Sequence, residues 1–285
     1  MESQQLTPRI LLTTDFSAES EIAFFHALAI ALKRKARLTL LHTGGESREQ
    51  VPWSRFPSVR GTLQTWGLLG TDAARTDVID KLGIDINKMA QRDYDPRNGI
   101  TDYLRRSPTD LLVMASQGRT GLARFRNTSI AETVSYRTKS HTLMLPKDGS
   151  QFVDPATGTS SLRCVLCALD MKHDPRTLLT FLSRWLPDMA ADGEVVDVFV
   201  LQVGEPEEPQ QLMVPQAERL RWQGMVSHDE LVDAVMQAAE SIEPDMVVVQ
   251  ADSPSNLRGR LRGSRIDRIM HTLRVPVLSM PVFGD

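Results

Sequence analysis

The sequence contains the same long segment twice. Residues 128–146, TSIAETVSYRTKSHTLMLP, align without a gap with residues 263–281, GSRIDRIMHTLRVPVLSMP, at an offset of 135 residues. An earlier apolar segment that ends in aspartate is also repeated, as RILLTTD at 9–15 and RCVLCALD at 163–170. A repeat of whole domains differs from the short units of a solenoid. We therefore expect two copies of one domain, related by pseudo-twofold symmetry like the subunits of a homodimer.

Each copy alternates apolar segments with helical patterns. In the first copy the strand candidates are residues 9–14, 36–43, 84–90, 110–116 and 141–146. Helical patterns start at Ser17 and cover residues 71–83, 99–106 and 130–139. Most of these strands are near-continuous apolar runs, which indicates a mostly parallel sheet covered on both faces. The predicted fold class is α/β, with two tandem, doubly wound, five-stranded domains.

The domain boundaries follow from composition and from the offset between the copies. The 285 residues suit two domains, and residues 148–161, DGSQFVDPATGTSS, have the composition of a linker. We expect the first domain at 1–147 and the second at 162–285. The offset falls from 155 at the first strand to 135 at the fourth, so the second copy lacks 20 residues. The loss is predicted between its second and third strands, after Val203.

Charge and composition narrow the classes of partner. The net charge of −3 argues against binding to nucleic acid or to an anionic membrane. No apolar run reaches the length of a membrane span and the start lacks the pattern of a signal peptide, so a cytoplasmic location is expected. Cys164 and Cys167 lie three residues apart in an apolar run, which places their sulfurs on opposite faces of a strand. Two buried cysteines are therefore favoured over a redox pair, and no metal-binding pattern is present.

Candidate binding residues follow the strands at the expected carboxyl edge of the sheet. Open α/β sheets bind ligands at this edge, where the strand order reverses. Asp15 and Asp170 each end the first strand of their copy. In the first copy, a loop with small residues follows the fourth strand and leads to a helix near Ser129. Backbone N–H groups in such a loop, the helix start, and the side chains of Arg119 and Arg124 are suited to phosphate.

Several of these motifs together resemble the universal stress proteins. In the first copy they are TTDFS, LLHT and DLLVMASQGRTGLARF followed by SIAETV; in the second they are VLCALD, VFVLQV, DMVVVQAD and the final GSRIDRIMHTLRVPVLSMP. The resemblance implies an adenine nucleotide alpha hydrolase-like fold. It also implies that the last strand of each copy is a dimerising strand, so we expect the two copies to pair through these strands. Further homodimerisation, or binding of another protein, stays open.

The family divides into members that bind ATP and members that do not. Binders resemble one another in a loop of glycine, two residues, glycine, nine residues, glycine, and then serine or threonine. The corresponding positions are Ala115, Gly118, Thr128 and Ser129 in the first copy, and Gln250, Ser253, Gly263 and Ser264 in the second. Each Cβ that replaces a glycine restricts the backbone and narrows the path of the phosphates. The long side chain of Gln250 should obstruct that path more than Ala115, which makes the first copy the better candidate.

The resemblance also assigns positions for the nucleoside. Asp15 and Asp170 match the residue that meets the adenosine end, and Thr43 and Val203 match the position whose backbone meets adenine. The candidate nucleotide-binding residues of the first copy are Thr14, Asp15, Thr43, Met114, Ala115, Gly118, Arg119, Thr128 and Ser129. The weaker candidates of the second copy are Asp170, Val203, Ser253, Gly263 and Ser264.

Some of these side chains have a structural interpretation as well. Both aspartates are also suited to capping the following helix. His42, beside Thr43, fits a structural role better than a ligand role. The arginines at 258, 260 and 262 form either an anion clamp or a solvated basic loop that pairs with the acidic residues 205–208.

Three functional hypotheses follow. The first is a regulatory protein of stress responses that binds ATP or AMP in the first copy and requires no metal. The second is a protein-interaction module whose nucleotide sites are vestigial. A slow ATPase is the third and is less favoured, since no catalytic constellation is evident in the sequence.

Overall fold

The computed structural model describes residues 7–45, 49–74, 76–116, 130–138, 140–204, 213–251 and 265–281. Its strands form one ten-stranded sheet. The strands are β1 (Arg9–Thr13), β2 (Arg37–Gly44), β3 (Asp85–Arg92), β4 (Leu111–Ala115), β5 (Thr142–Leu145), β6 (Cys164–Asp170), β7 (Val196–Val203), β8 (Leu220–Ser227), β9 (Met246–Ala251) and β10 (Val277–Pro281). We call β1–β5 with their helices the first half, and β6–β10 with theirs the second half.

The strand order confirms the predicted fold class. It runs β3-β2-β1-β4-β5-β10-β9-β6-β7-β8, so the second half repeats the order of the first in reverse. The pairs within each half are parallel, whereas β5 and β10 are antiparallel, with Leu143 opposite Leu278. The expected pairing of the two last strands is thus confirmed. It joins the two five-stranded sheets into one.

The helices cover both faces of this sheet. They are α1 (Ala18–Arg34), α2 (Val59–Thr65), α3 (Asp77–Asp80), α4 (Pro96–Arg106), α5 (Ile130–Thr138), α6 (Arg176–Met189), α7 (Leu231–Ile242) and α8 (Arg265–Leu273), with a 3-10 turn at Trp53–Arg55. The core on one face includes residues of α1, α2 and α6, and the core on the other includes residues of α4, α5, α7 and α8. Leu143 and Leu278 belong to the first core, and Met144 and Val277 to the second. Both cores therefore continue across the junction of β5 and β10.

The helical prediction for residues 71–83 was wrong, because the structure has only the short α3 there. The Asp77 carboxylate accepts a hydrogen bond from the Ala74 N–H, at 3.0 Å, and so stabilises a turn before α3. Aspartate and threonine compete in this way with helical hydrogen bonds. The predicted start of α4 was also late: α4 begins at Pro96, with Asp95 as its N-cap. Proline is favoured in that first turn because its missing N–H has no helical partner to lose.

The predicted linker packs against two parts of the first half, the aromatic segment after β2 and helix α1. Trp66 is buried, and its indole N–H donates to the Pro155 carbonyl at 2.9 Å. Phe152 is also buried and meets the ring of His26 edge-on, with 4.6 Å between ring centroids. Burial lowers the pKa of His26 to about 4, so this ring is neutral near pH 7. Residues 148–161 are therefore docked onto the first half.

The two cysteines lie on opposite faces of β6, as predicted. Cys167 belongs to the core that includes residues of α1 and α6, whereas the Cys164 sulfur lies 3.8 Å from the Ile242 carbonyl of α7. Both are free thiols. Burial raises the pKa of Cys164 to about 11 and also raises that of Cys167. Neither thiol is activated for redox chemistry, since the reactive form is the thiolate.

In the part of the chain that the structure describes, none of the helices has both the length and the apolar character of a membrane span.

Candidate functional site

The strand order of the first half creates a switch point between β1 and β4. From β1 the chain moves to β2 and β3 on one side, then crosses over to β4 and β5 on the other. Connections that leave two neighbouring strands in opposite directions open a crevice at their carboxyl ends. Asp15 follows β1, and Ala115 is the last residue of β4. The first half thus brings these two predicted residues to the same crevice.

Asp15 holds the N-cap residue of helix α1 and is exposed at this edge. Its Oδ1 accepts hydrogen bonds from the Ser17 N–H at 3.1 Å and from the Ser17 hydroxyl at 2.5 Å. Ser17 is in turn the N-cap of α1 and accepts from the Ser20 N–H at 3.2 Å. The capping role predicted for Asp15 is therefore indirect, through Ser17. Thr14 is buried, and its hydroxyl lies 2.9 Å from that of Ser20.

The strands β1 and β2 separate just before the candidate residues. Their ladder ends at Thr13 and Leu41, with a last hydrogen bond from the Thr14 N–H to the Leu41 carbonyl at 3.0 Å. Strand β2 continues along β3 to Gly44. Peptide groups in a parallel strand alternate between its two neighbours, so those of Thr43 point to the same side as those of Leu41, beyond the end of β1. Among the described residues, no hydrogen bond is formed by the Thr43 backbone toward that side.

The comparisons with known proteins identify the fold that carries this crevice. The model of the universal stress protein family matches residues 7–146. The first half of the chain is therefore a domain of the universal stress protein family. None of the curated proteins that were compared matches the chain significantly.

Solved structures extend the likeness of fold to the whole chain. A universal stress protein from Archaeoglobus fulgidus DSM 4304 matches with a TM-score of 0.64 at 15% identity, covering 97% of this chain and 97% of that chain. A candidate universal stress protein from Pseudomonas aeruginosa UCBPP-PA14 matches with a TM-score of 0.58 at 13% identity, covering 98% of this chain and 94% of that chain. At these identities the likeness concerns the fold alone. It places both halves of the chain in one architecture.

The second half has the same switch point, between β6 and β9, but its strands stay together. The β6–β7 ladder continues to Asp170 and Val203, and the Met171 N–H donates to the Val203 carbonyl at 3.1 Å. The carbonyl of Val203 is therefore already engaged, whereas the Thr43 carbonyl accepts no backbone hydrogen bond from the described residues on the corresponding side. Asp170 accepts from the Lys172 N–H at 3.2 Å, which stabilises a turn before α6 without capping that helix.

Gln250 occupies the second switch point. It is 8% exposed, and its side-chain Nε2 lies 3.5 Å from the Asp174 carbonyl, which precedes α6. Its Oε1 has no hydrogen-bond partner among the described residues. Gln250 pairs with Met280 on β10 just as Ala115 pairs with Leu145 on β5, so the two positions are equivalent in the sheets. A long buried side chain in the second half thus stands where the universal stress protein domain of the first half has a methyl group.

Two further candidates of the first half are structural in character. The His42 ring is buried, with Nδ1 2.8 Å from the Thr14 carbonyl and a ring centroid 4.6 Å from that of Phe16. Met114 is 5% exposed and belongs to the core that α4 and α5 cover. Phe16 has a positive φ of 62°, and this turn directs the chain from β1 into α1.

The remaining predicted residues lie outside the described part of the chain. They are Gly118, Arg119, Arg124, Thr128 and Ser129 of the first half, and Ser253, Gly263, Ser264 and the arginines at 258, 260 and 262 of the second. Among the described residues, no cluster of His, Cys, Asp or Glu is suited to hold a metal ion.

The sequence prediction did not include Tyr94, which the structure places at the carboxyl edge of β3. This side chain is 83% exposed and lies against Gly45, just beyond the end of β2. The sequence signal was the turn YDP after a predicted strand. Only the strand order brings that turn beside Thr43.

Proposed function

We propose that this universal stress protein is a cytoplasmic regulatory protein of stress responses that binds an adenine nucleotide, ATP or AMP, in its first half. The observation that carries the proposal is the early separation of β1 and β2, which leaves the Thr43 peptide groups facing the crevice. The edge of adenine presents an amino donor beside a ring-nitrogen acceptor. One residue's carbonyl and N–H complement that pair, and neither group changes with the side chain.

The other parts of a nucleotide have candidate partners around the same crevice. The exposed Asp15 carboxylate is suited to accept hydrogen bonds from ribose hydroxyls, a role that acidic residues play in related α/β folds. The phosphates are assigned to Gly118, Arg119, Thr128 and Ser129, on the motif of the sequence alone. We propose that residues 1–147 act as the binding unit and residues 162–285 as its structural partner, joined by the linker at 148–161.

The test is a titration of wild-type protein with ATP and with AMP by isothermal calorimetry, together with the Ala115→Gln variant. We expect binding to the wild type and an affinity at least about tenfold lower in the variant, because the inserted side chain fills the crevice as Gln250 does. The matched control is Gln250→Ala, which should leave the measured affinity unchanged. Equal affinities of wild type and Ala115→Gln would contradict the proposed location of the site.

The second candidate function is a protein-interaction module without a nucleotide. Two substitutions favour it, since Ala115 and Thr128 stand at glycine positions of the binding motif. Absence of ATP and AMP binding to the wild type at millimolar concentration would select this function. A slow ATPase, the third hypothesis, requires turnover that is lost in both Asp15→Ala and Ser129→Ala.

A further inference from the structure

Tyr94 is an exposed aromatic side chain at the edge of the candidate site. Among the aromatic side chains that the structure describes, it alone falls in the exposed class, at 83% of its surface. Large aromatic rings gain most from burial, so an exposed ring at a candidate site is suited to contact a ligand.

The ring of Tyr94 lies over the end of β2. A Cβ atom built on Gly45 would lie 2.9 Å from Cε1 of Tyr94, so the ring rests on the glycine backbone. Gly45 follows Thr43 by two residues and is the first residue beyond β2, where the chain bends. The Thr43 methyl group and the Cβ atom of Asp93, the residue before Tyr94, both lie close to Gly99 of α4. Tyr94 thus stands next to the residue whose peptide groups face the crevice.

The backbone on both sides of Tyr94 is held in place. The Asp93 N–H donates to the Gly44 carbonyl at 2.9 Å, which extends the β2–β3 pairing by one bond. On the other side, the Asp95 N–H donates to the Asp93 carboxylate at 2.9 Å, and Asp95 caps α4. An ion pair with Arg97 fixes Asp95 further and lowers the pKa of its carboxyl group. The backbone that carries the ring is therefore held before any ligand arrives, which reduces the entropy cost of binding.

We propose that Tyr94 covers one face of the nucleotide base bound at Thr43, and so contributes to selection of nucleotides over other phosphate compounds. This inference rests on the proposed function. Thr43 supplies hydrogen bonds to the edge of the base, which leaves its faces to be covered by other groups. A tyrosine ring is suited to that contact because stacking is attractive for every base.

The experiment measures binding of ATP and of inorganic tripolyphosphate to the wild type, Tyr94→Ala and Tyr94→Phe by calorimetry. Tyr94→Ala removes the stacking contact with the base, and we expect this to lower the ATP affinity about tenfold. Tyr94→Phe should bind ATP like the wild type, and tripolyphosphate should bind all three proteins equally. Ile79→Ala, which removes another exposed apolar side chain, is the matched control and should not change ATP affinity.

Each outcome has a definite consequence. If the wild type binds ATP and Tyr94→Ala binds it equally well, the role of Tyr94 is wrong while the nucleotide site stands. If Tyr94→Ala weakens tripolyphosphate as much as ATP, the ring does not act on the base, and the inference is again wrong. If the wild type does not bind ATP, the proposed function fails and the role of Tyr94 fails with it. The urea midpoint of Tyr94→Ala should equal that of the wild type, which excludes a general loss of folding.

Discussion

Replacing Gly158 with alanine should destabilise the protein by about 3 kcal/mol, a large effect for the addition of one methyl group. Gly158 has a φ of +72°, and a Cβ there would lie 2.4 Å from the indole ring of Trp66. Trp66 has little freedom to move, because it is buried and its N–H is bonded to Pro155. The methyl group would therefore displace the linker from the first half. Urea unfolding, followed by tryptophan fluorescence, measures the loss.

Gly193 provides the control for the backbone contribution. Its φ is +76°, but no atom lies within 4 Å of a Cβ built there. Gly193→Ala should cost only about 1 kcal/mol, which is the usual penalty for a side chain at positive φ. Equal losses in Gly158→Ala and Gly193→Ala would show that the linker does not pack on Trp66 as described.

Removal of the Arg34 side chain should weaken the contact between the two halves by about 2–3 kcal/mol. Arg34 lies at the end of α1, and its side chain is 15% exposed. Its guanidinium pairs with Asp188, donates to the Arg184 carbonyl at 2.7 Å, and lies 4.3 Å from the centre of the Trp185 ring. Arg34→Ala removes these three contacts between α1 and α6. The free energy of unfolding in urea is the relevant measurement.

The neighbouring Lys33 separates this effect from a general loss of charge. Lys33 pairs with Asp192, which is 79% exposed, and the lysine side chain is itself 37% exposed. Ion pairs of this kind contribute at most about 1 kcal/mol. Lys33→Ala should therefore cost much less than Arg34→Ala, and a similar cost for both would mean that the stacking on Trp185 contributes little.

Much of the fold could be predicted because it depends on local pattern and on the repeat. The offset of 135 pairs Ala115 with Gln250 in the sequence, and the structure pairs them with the equivalent partners Leu145 and Met280. Buried parallel strands need continuous apolar runs, so their positions are recorded directly in the sequence. Residues 71–83 were mispredicted for a local reason, since Asp77 forms a turn where apolar spacing indicated a helix.

The candidate site was harder to predict from the sequence than the fold. The point at which β1 leaves β2 depends on the turn at Phe16, whose positive φ is uncommon for a large side chain and is set by tertiary packing. The contact of Tyr94 with Gly45 joins residues far apart in sequence. Asp15 was found from its place at the end of a strand, whereas Thr43 and Ala115 were found only because a family resemblance assigned them roles. Composition and spacing alone would not have separated these two residues from ordinary strand ends.

The two halves therefore share one fold but differ at equivalent switch points. In the first half β1 separates from β2 before Asp15 and Thr43, and β4 ends in Ala115. In the second half Asp170 and Val203 remain in the ladder. We propose that this difference confines nucleotide binding to the first half.

The stoichiometry of binding tests that claim most directly. Purified protein should be saturated with ATP or AMP, separated from free nucleotide, and denatured, and the released nucleotide should be identified and counted by mass spectrometry. We expect one nucleotide per chain in the wild type and none in Ala115→Gln. Two nucleotides per chain, or a single one that persists in Ala115→Gln, would contradict it.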